Sequence, residues 1–209
     1  LQQRGWRCLG TQISKPAAEF ARKKLGLKTE EEELPALRLP GDSIDLITAF
    51  HVMEHLQNPG EYVKEVYRLL KPGGIFLVEV PNVHSWGSRF FNDAWYPFDL
   101  THHLSYFSAP GFTAHLETLG FRTIKVKHFS MEYSVYTWLQ SFLNLFFNDR
   151  DKFFNMLQTD HRPSLKELAF YGAAALFFLP ISTICAIFTA VIRRGDVMRI
   201  ICSKSVPSH

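Results

Sequence analysis

Three side chains that can carry protons or bind metals stand close together in the sequence: His51, Glu54 and His55. They follow directly after the apolar run Ile44–Phe50, which is typical of a strand buried on both faces. In α/β folds, ligands bind at the carboxyl ends of the parallel strands, and an imidazole can exchange a proton near neutral pH. The group therefore predicts a ligand-binding or catalytic site at the end of this strand, although His55 taken alone could merely cap the turn.

The same three residues also match the bare pattern H-x-x-E-H, a spacing found in a class of zinc peptidases. In those enzymes both histidines lie on one face of a helix, with the glutamate beside them as general base. Here the pattern begins straight after a strand and ends before Pro59, where a helix can begin, and no distant acidic ligand is obvious. We therefore favour a site at the strand end over a peptidase centre, and we predict no metal site.

A strand–helix–strand unit positions these side chains. After Ile44–Phe50, a helix can begin at Pro59, and its apolar side chains recur at helical spacing. The sequence Lys-Pro-Gly-Gly at 71–74 predicts the end of that helix, and 75–80 predicts a second strand. A unit of this kind crosses over right-handed and makes its two strands parallel neighbours. The fold class rests on this unit, and it is α/β.

Further elements flank the unit on both sides. The predicted elements are a strand at 6–13, a helix from Ser14 to Leu25, a short strand or irregular segment at 34–39, a helix at 108–119, an edge strand at 121–129, aromatic helical structure at 131–158 and a last strand at 196–203. The four consecutive glutamates at 30–33 suit a solvated edge or loop. The long aromatic stretch between Trp86 and Phe107 has no clean period and suits either a functional loop or a cover for the edge of the sheet.

The most hydrophobic stretch of the chain, 168–192, contains no charged residue and is long enough to cross a bilayer. Pro180 removes a backbone donor at its middle and, with Gly172, favours two short helices that lie on a membrane surface or dip into one leaflet. A single span and a buried pair of soluble helices are the alternatives. If the last strand joins the sheet, both ends of the stretch must lie on the same side of the membrane, which argues against a single span.

Composition narrows the class of function. The formal net charge is +3, and no basic stripe with interleaved aromatics occurs, so we expect no nucleic-acid partner. The three cysteines, Cys8, Cys185 and Cys202, are far apart and fit a reducing cytosol better than a disulfide framework. The chain begins at Leu1, in what looks like the middle of an α/β pattern. We therefore expect a fragment that lacks its own N-terminus.

Several segments together resemble a known family. SIDLITAFHVMEHLQNP, EVYRLLKPGGIFLVEVPN and LETLGF resemble the second half of a class I S-adenosylmethionine-dependent methyltransferase. The resemblance is closest to the bacterial group of ubiquinone-type and envelope-cluster methyltransferases. The matching residues are Asp45, His51, Glu54, His55, Pro59, Lys71, Pro72, Gly73, Gly74, Pro81 and Asn82. DAWYPFDLTHHLSYFS resembles a loop of the same group, with Thr101 in place of a proline and His102 in place of an arginine.

This resemblance implies a Rossmann-like three-layer sandwich around a seven-stranded sheet, mostly parallel with an antiparallel last strand. On that template 7–13 is the second strand, 44–50 the fourth, 75–80 the fifth, 121–129 the sixth and 197–203 the seventh. The first strand and its glycine-rich turn would precede Leu1. We divide the chain into a truncated methyltransferase core at 1–130, a helical, apolar, membrane-docking insertion at 131–194 and the last strand with its tail at 195–209.

The resemblance also implies site residues. The cofactor S-adenosylmethionine would contact Gln12, Glu33, Leu34, Phe50, His51 and Val52, and His55 and His103 would be the catalytic bases. Gln12 stands where the family usually has an acidic residue that binds the ribose, so about 1–2 kcal/mol of charge-assisted strength per hydrogen bond would be lost. Some relatives are thought to hold a divalent ion near the pair Glu54 and His55, but we predict none here.

The function implied is methyl transfer from S-adenosylmethionine to an oxygen or nitrogen of a small or lipid-linked acceptor. The stretch 168–192 would place the protein in the cytoplasm, peripherally or by a hairpin anchor on the inner face of a membrane, and the loop from Trp86 to Phe107 would cover the acceptor. The alternative is a methyltransferase-like module that no longer catalyses and serves as a binding partner at a membrane surface.

Overall fold

The computed structural model describes residues 2–147, 150–158 and 163–206. Its strands are β1 (Gly10–Thr11), β2 (Thr29–Glu30), β3 (Ile44–Phe50), β4 (Leu70–Pro81), β5 (Phe121–Lys127) and β6 (Val197–Lys204). Its α-helices are α1 (Lys15–Leu25), α2 (Pro59–Leu69), α3 (Trp86–Phe91), α4 (Ala109–Thr118), α5 (Ser134–Phe146), α6 (Lys152–Gln158) and α7 (Leu165–Val191). Short 3-10 helices cover Gln2–Arg4, Leu34–Leu37, Met53–His55 and Asn92–Ala94.

Four strands form the main sheet, in the order β3-β4-β6-β5. β3 and β4 are parallel, and β6 is antiparallel to both of its neighbours, β4 and β5. Three strands therefore run in one direction and β6 opposes them. The predicted α/β class, with a mostly parallel sheet and an antiparallel last strand, is confirmed. β1 and β2 form a separate parallel pair, so the described residues hold two sheets where the resemblance implies one of seven strands.

The central strand–helix–strand unit is stabilised by a capped helix start and by an apolar stripe on its helix, both of which are evident in its sequence. Asn58 caps α2, since its side-chain oxygen accepts a hydrogen bond from the backbone N–H of Glu61 at 3.2 Å, and Pro59 occupies the first turn. The apolar stripe of α2 is buried against the sheet, and its members are Tyr62, Val63, Val66 and Leu69. Each such side chain contributes about 1.5–3 kcal/mol by leaving water. This burial fixes the helix over the sheet and the end of β3 beside it.

The segment 71–74, predicted to end the helix, belongs to β4 as a bulge. Ile44 pairs with Leu70 and Leu46 pairs with Ile75, so the four residues between leave the ladder. Gly73 has a φ of +77°, and a Cβ on Gly74 would lie 2.8 Å from the carbonyl oxygen of Lys71. The two glycines are therefore required by the bulge, and the helix ends directly into the strand.

The predicted strand at 6–13 is too long. Only Gly10 and Thr11 form ladder bonds, because β2 is their one partner and the surrounding residues are exposed. The segment at 34–39 takes the irregular alternative, a 3-10 helix at Leu34–Leu37 with Pro35 in its first turn. α1 begins after Ser14 and stops at Gly26 in the left-handed conformation, as predicted.

The predicted break of the apolar stretch into two short helices is wrong. α7 is one helix of 27 residues that contains Pro180, and it begins with a capping box in which Ser164 and Glu167 bond each other's backbone N–H groups. The helix contacts α5 at its middle, where the rings of Phe142 and Phe178 stack at 5.1 Å. The chain after α7 then returns to the sheet as β6, as predicted.

Candidate active site

A buried ion network lies where β3 ends. The Nδ1 of His51 lies 3.0 Å from Oε1 of Glu54, and its Nε2 lies 3.4 Å from Oε1 of Glu79. Glu79 also accepts a hydrogen bond of 2.6 Å from Nε of Arg199. The ring of His51 stacks on Tyr133, with 3.8 Å between the centroids. The adjacent strands β3, β4 and β6 each contribute a residue, so the network is fixed by the register of the sheet.

Charge pairing sets the protonation of this network. Burial works against the charged ring of His51, but the hydrogen bonds to Glu54 and Glu79 outweigh it and raise the pKa of His51 to about 9. Burial also works against the carboxylate of Glu79, yet the hydrogen bonds from His51 and Arg199 lower its pKa. His51 is therefore a cation at neutral pH. Both ring nitrogens of His51 face carboxylates, and one face of its ring is covered by Tyr133. Its predicted contact with the cofactor stays a prediction.

The two predicted bases meet above this network. His55, in the 3-10 turn Met53–His55, lies 4.8 Å from His103 between ring centroids. The Nδ1 of His55 lies 2.9 Å from the carbonyl oxygen of His102, and the Nδ1 of His103 lies 2.7 Å from that of Pro97. A carbonyl oxygen can only accept, so both Nδ1 atoms carry a proton, and in a neutral ring the Nε2 atom keeps its lone pair. Potential ligand atoms of His55, His103 and Glu54 all lie within 4.8 Å of one another.

The loop that carries His103 is tied to the turn that carries His55. The backbone N–H groups of Leu104 and Ser105 donate to the carbonyl oxygen of Glu54 at 2.8 and 3.1 Å. Within the loop, Asp99 accepts hydrogen bonds from Thr101 and lies 2.6 Å from Nδ1 of His102. Burial raises the pKa of Asp99, but these hydrogen bonds outweigh it and lower the pKa to about 2. The carboxylate thus stays ionised and holds the loop's conformation.

A pocket of about 920 Å³ opens beside the two histidines. Its lining comprises residues 93 and 96–103, together with His55, Tyr133, Arg150, Asp151, Phe154 and Asn155. Arg150 closes one wall, since its guanidinium donates to the backbone carbonyls of Asp93, Trp95 and Phe98. The second half of the predicted loop thus lines a cavity, whereas Phe91 and Trp95 pack into the aromatic cluster against α5. A role of the loop in function stays a prediction, and Phe91 and Trp95 cover helices α5 and α7, not the edge of the sheet as the alternative expected.

Sequence reasoning missed Tyr133 and Arg150. Each lies more than 25 residues from the histidine motif along the chain and reaches the pocket through the packing of α5 and the segment after it. The segment around Tyr133 was noted for its aromatic character, but that pattern alone does not show which ring faces the site. Nothing in the local sequence around Arg150 distinguishes it from a solvated arginine.

The predicted cofactor residues lie in two places. Phe50, at the end of β3, is 45% exposed and has the guanidinium of Arg199 5.5 Å from its ring centroid; Val52 is half-buried beside it. Gln12 follows β1 in the other sheet, and its side-chain oxygen accepts from the backbone N–H of Ser14 at 3.0 Å. Leu34 is a buried member of the core.

These surroundings decide which predicted contacts fit a nucleoside. An exposed aromatic ring at a strand end suits an adenine face, so Phe50 and Val52 fit the cofactor. Gln12 has its oxygen engaged locally and keeps only its amide N–H groups to donate. Burial of Leu34 in the core limits it to a contact through its edge.

Comparison with known proteins identifies the class. The family described as "Methyltransferase domain" matches residues 1–126, and the chain therefore belongs to it. The predicted resemblance to a class I S-adenosylmethionine-dependent methyltransferase is thereby confirmed at the level of this family.

Individual relatives agree with this assignment. A probable S-adenosylmethionine-dependent methyltransferase of Mycolicibacterium smegmatis is 47% identical over 49 residues, which cover 23% of this chain and 19% of the relative. A protein of the same description from Mycobacterium tuberculosis is 36% identical over 52 residues, covering 25% and 19%. The match thus covers about a fifth of each relative's length.

Solved structures share the fold. A SAM-dependent methyltransferase from Archaeoglobus fulgidus superimposes with a TM-score of 0.58 at 17% identity, covering 97% of this chain and 78% of the other. An S-adenosylmethionine-dependent methyltransferase from Mesorhizobium loti gives 0.52 at 14% identity, covering 93% and 79%. At these identities the likeness concerns the fold alone.

Proposed function

We propose that the protein to which this chain belongs transfers a methyl group from S-adenosylmethionine to an oxygen or nitrogen of a small or lipid-linked acceptor. The observation that carries the proposal is the pair His55 and His103 at the mouth of the acceptor pocket, in a domain of the methyltransferase family. When bound, S-adenosylmethionine supplies a methyl group on a positively charged sulfur. Phe50 and Val52 would hold its apolar face, and Gln12 would donate to it from the other sheet.

The two histidines are suited to remove the acceptor's proton. Burial lowers the pKa of His103 below its ordinary value, so the ring is neutral at pH 7. Its Nδ1–H donates to Pro97, which fixes the ring and leaves Nε2 as the proton acceptor. His55 is held in the same way through the carbonyl of His102. The loop closes one side of the pocket and limits water around the reacting atoms.

The cofactor is tested by calorimetric titration of the protein with S-adenosylhomocysteine. We expect saturable binding, and we expect Phe50→Ala to weaken it about tenfold because an aromatic contact is worth about 1 kcal/mol or more. Phe20→Ala is the matched control, since Phe20 is also exposed but lies on α1. No detectable heat at millimolar ligand would favour the non-catalytic binding module instead.

The same proposal includes work at a lipid surface on the cytoplasmic side of a membrane. Its support is the distribution of side chains on α7. The buried side chains of this helix are Tyr171, Ser182, Ala186 and Thr189, whereas large apolar side chains are exposed, among them Leu176, Phe177, Ile184 and Val191. A helix that packed in a soluble core would show the reverse. This distribution disfavours the buried pair of soluble helices.

The contacts of α7 favour a helix that lies along the surface over one that spans. Near its start, Phe170 contacts Phe147, and near its end Phe188 contacts Trp86. A helix of this length is about 40 Å long, so the domain accompanies it from end to end. Arg193 and Arg194 follow its last turn and can pair with anionic headgroups. The outward face of α7 would then enter the apolar boundary of one leaflet.

Vesicle flotation tests the lipid surface. We expect the chain to float with vesicles of mixed phosphatidylcholine and phosphatidylglycerol, and Leu176→Gln, Phe177→Gln and Ile184→Gln combined to reduce the bound fraction more than tenfold, since each apolar side chain contributes about 1.5–3 kcal/mol. A triple replacement on the α1 side, Ile13→Gln, Phe20→Gln and Leu25→Gln, is the control, because those residues are similarly exposed. Equal flotation of both variants would rule out docking through α7.

A further inference from the structure

The end of the pocket beside the two histidines presents hydrogen-bond acceptors without donors. When the rings of His55 and His103 are neutral, their Nε2 atoms keep a lone pair, because their Nδ1 atoms donate to carbonyls. Glu54 is 1% exposed, and its Oε2 has no hydrogen-bond partner among the described residues. A carboxylate oxygen of Glu54 and one ring nitrogen each of His55 and His103 lie within 4.8 Å of one another. A buried carboxylate oxygen left without a donor is unfavourable, so this site is completed by a ligand that donates.

Negatively charged side chains outnumber positively charged ones around the pocket. Asp93, Asp99 and Asp151 line the pocket, and Arg150 is the only lysine or arginine in that lining. The guanidinium of Arg150 already donates to three backbone carbonyls and lies 3.5 Å from Asp151. The buried carboxyl of Glu54 pairs with His51 and does not contribute to this excess. An anionic ligand would therefore be repelled, and a cationic one would be attracted.

Aromatic rings also line the pocket. Tyr96 lies 5.5 Å from Phe154 between ring centroids, and Tyr133 and Phe98 belong to the same lining. A ring face attracts a cation held within about 6 Å of its centroid. The ionised carboxylates also act on these rings: burial raises the pKa of Tyr96, and the charges of Asp151 and Asp99 raise it further. This lining is thus both aromatic and in a negative field.

From the unpaired acceptors, the excess of carboxylates and the aromatic lining, we propose that the acceptor is a protonated amine and that this pocket recognises its ammonium group. This proposal rests on the proposed methyl transfer and names its substrate class. An ammonium has three N–H donors, which match the three acceptors, whereas a hydroxyl has one.

The reaction balances without another reagent. The ammonium gives one proton to Nε2 of neutral His103, which becomes an imidazolium. The neutral amine then attacks the methyl carbon of S-adenosylmethionine, the carbon–sulfur bond breaks, and its electron pair stays on sulfur. The product is a protonated N-methyl amine with a neutral thioether, and the imidazolium returns its proton to water.

Binding of matched probes tests the substrate class without the cofactor. The full chain is titrated at pH 7, in the presence of a chelator, with 2-phenylethylamine, 2-phenylethanol and 3-phenylpropanoate while the histidine signals are followed by NMR. We expect the amine to bind at least tenfold more tightly than the alcohol, and the carboxylate not to bind. Glu54→Gln should remove most of the amine's advantage, and Asp45→Asn, a carboxylate exposed on β3, should leave it unchanged.

Two further measurements keep the test decisive. If Glu54→Gln does not fold, Asp151→Asn on the pocket wall should still reduce the preference for the amine several-fold. Zinc chloride is titrated without chelator, because the three acceptors could also bind a metal; tight zinc binding that the amine does not weaken would overturn the proposal, as would equal affinity for amine and alcohol. Titration of the protein with S-adenosylhomocysteine distinguishes failure of this proposal from failure of the proposed methyl transfer. Amine preference without cofactor binding would refute methyl transfer but would still support a protonated amine as the ligand.

Discussion

His51 combines a strained backbone conformation with a positively charged side chain. It has a φ of +50°, in the left-handed region that non-glycine residues rarely adopt, and it begins the turn that carries Glu54 and His55. Its cation is enclosed by Glu54 and Glu79. Backbone strain of this kind persists where the surroundings hold it, and here two ion pairs and the stacked Tyr133 do so.

The pH dependence of stability should report this cation. Because the folded pKa of His51 is about 9, above the ordinary 6.5, its contribution is fully present below pH 6.5 and is lost as the pH rises through 9. His51→Asn, a residue that tolerates the positive φ, should be less stable than the parent chain by up to about 3 kcal/mol at pH 6, with the gap narrowing towards pH 9.5. Urea unfolding across this range measures it. His115→Asn, on exposed α4, should show no such gap, and a constant gap for His51→Asn would contradict the assignment.

His103 offers a second test, by NMR titration of its ring proton. Burial lowers the pKa of His103, the charge of Glu54 opposes this, and the charge of His55 adds to it. Glu54→Gln should therefore lower the pKa of His103 further, and His55→Gln should raise it. Shifts of the same sign in both variants would contradict the geometry of the three side chains.

The residues of the site were predictable where they follow a strand. His51, Glu54 and His55 could be found because the end of a buried parallel strand is where α/β folds place ligands. His103 came from the resemblance of its loop. Tyr133 could not be assigned, because its place in the site depends on the packing of α5, which no local pattern encodes.

At the scale of elements, Asp196 joins the helical insertion to the sheet. It lies directly before β6 and is 1% exposed. Its Oδ1 accepts hydrogen bonds from the hydroxyl of Ser85 at 2.8 Å and from the indole N–H of Trp95 at 2.7 Å. A Cβ on Gly87 would lie 2.0 Å from this oxygen, so glycine is required there. One carboxylate thus holds the start of α3, the loop after it and the end of the α7 connection.

Asp196→Asn should change the pH dependence of stability. Burial raises the folded pKa of Asp196 to about 6, while the hydrogen bonds from Ser85 and Trp95 oppose the rise. The carboxyl therefore favours folding when protonated, and its contribution is lost as the pH rises from about 4 through 6. Thermal unfolding should show Asn gaining on the parent over that range, by up to about 3 kcal/mol, because Asn keeps the acceptor without the charge.

Controls separate charge from hydrogen bonding. Asp196→Ala should be about 1–3 kcal/mol less stable than Asp196→Asn at every pH, since Ser85 and Trp95 would be left without an acceptor. Asp93→Asn, on an exposed side chain, should follow the parent. A curve for Asp196→Asn parallel to the parent's would show that the carboxyl does not titrate in this range.

α7 shows what sequence patterns give about an element and what they omit. Its length and apolar character were evident from 168–192, and Ser164 with Glu167 is a readable capping signal. Pro180 suggested a break, but α7 continues through it, and Phe178 before it and Ala186 after it both pack in the cluster that contains Phe142 of α5. Those contacts lie more than 30 residues apart in sequence and leave no local signal.

For the whole molecule, the position of β6 makes the sheet depend on the last residues of the chain. β6 lies between β4 and β5 and pairs with both along its length. Ile200 is fully buried at its centre, whereas Ile124, on the edge strand β5, is exposed at an irregularity of the ladder. Local patterns predicted both strands, and the resemblance predicted that the last strand is antiparallel, but the separation of β1 and β2 from the main sheet was not foreseen.

Proline substitutions test this arrangement. Ile200→Pro removes a ladder donor in the middle of the sheet and should abolish cooperative thermal unfolding, at a cost of about 3 kcal/mol or more. Ile124→Pro, at the exposed irregularity, should cost much less. Circular dichroism melts distinguish the two, and similar melting of both variants would contradict the strand order.

β3 has β4 as its one hydrogen-bonded neighbour among the described strands, so its other edge presents unpaired backbone groups. Charged side chains and prolines usually protect an edge strand from pairing with another chain. β3 carries one charged residue, Asp45, and no proline. In aqueous solution the isolated chain should therefore associate through this edge as its concentration rises. Asp45 is then the one charged side chain of β3 that opposes this association. Replacing Thr48, which is exposed on β3, by lysine adds a second charge and should shift the onset of association, measured by light scattering, to higher protein concentration.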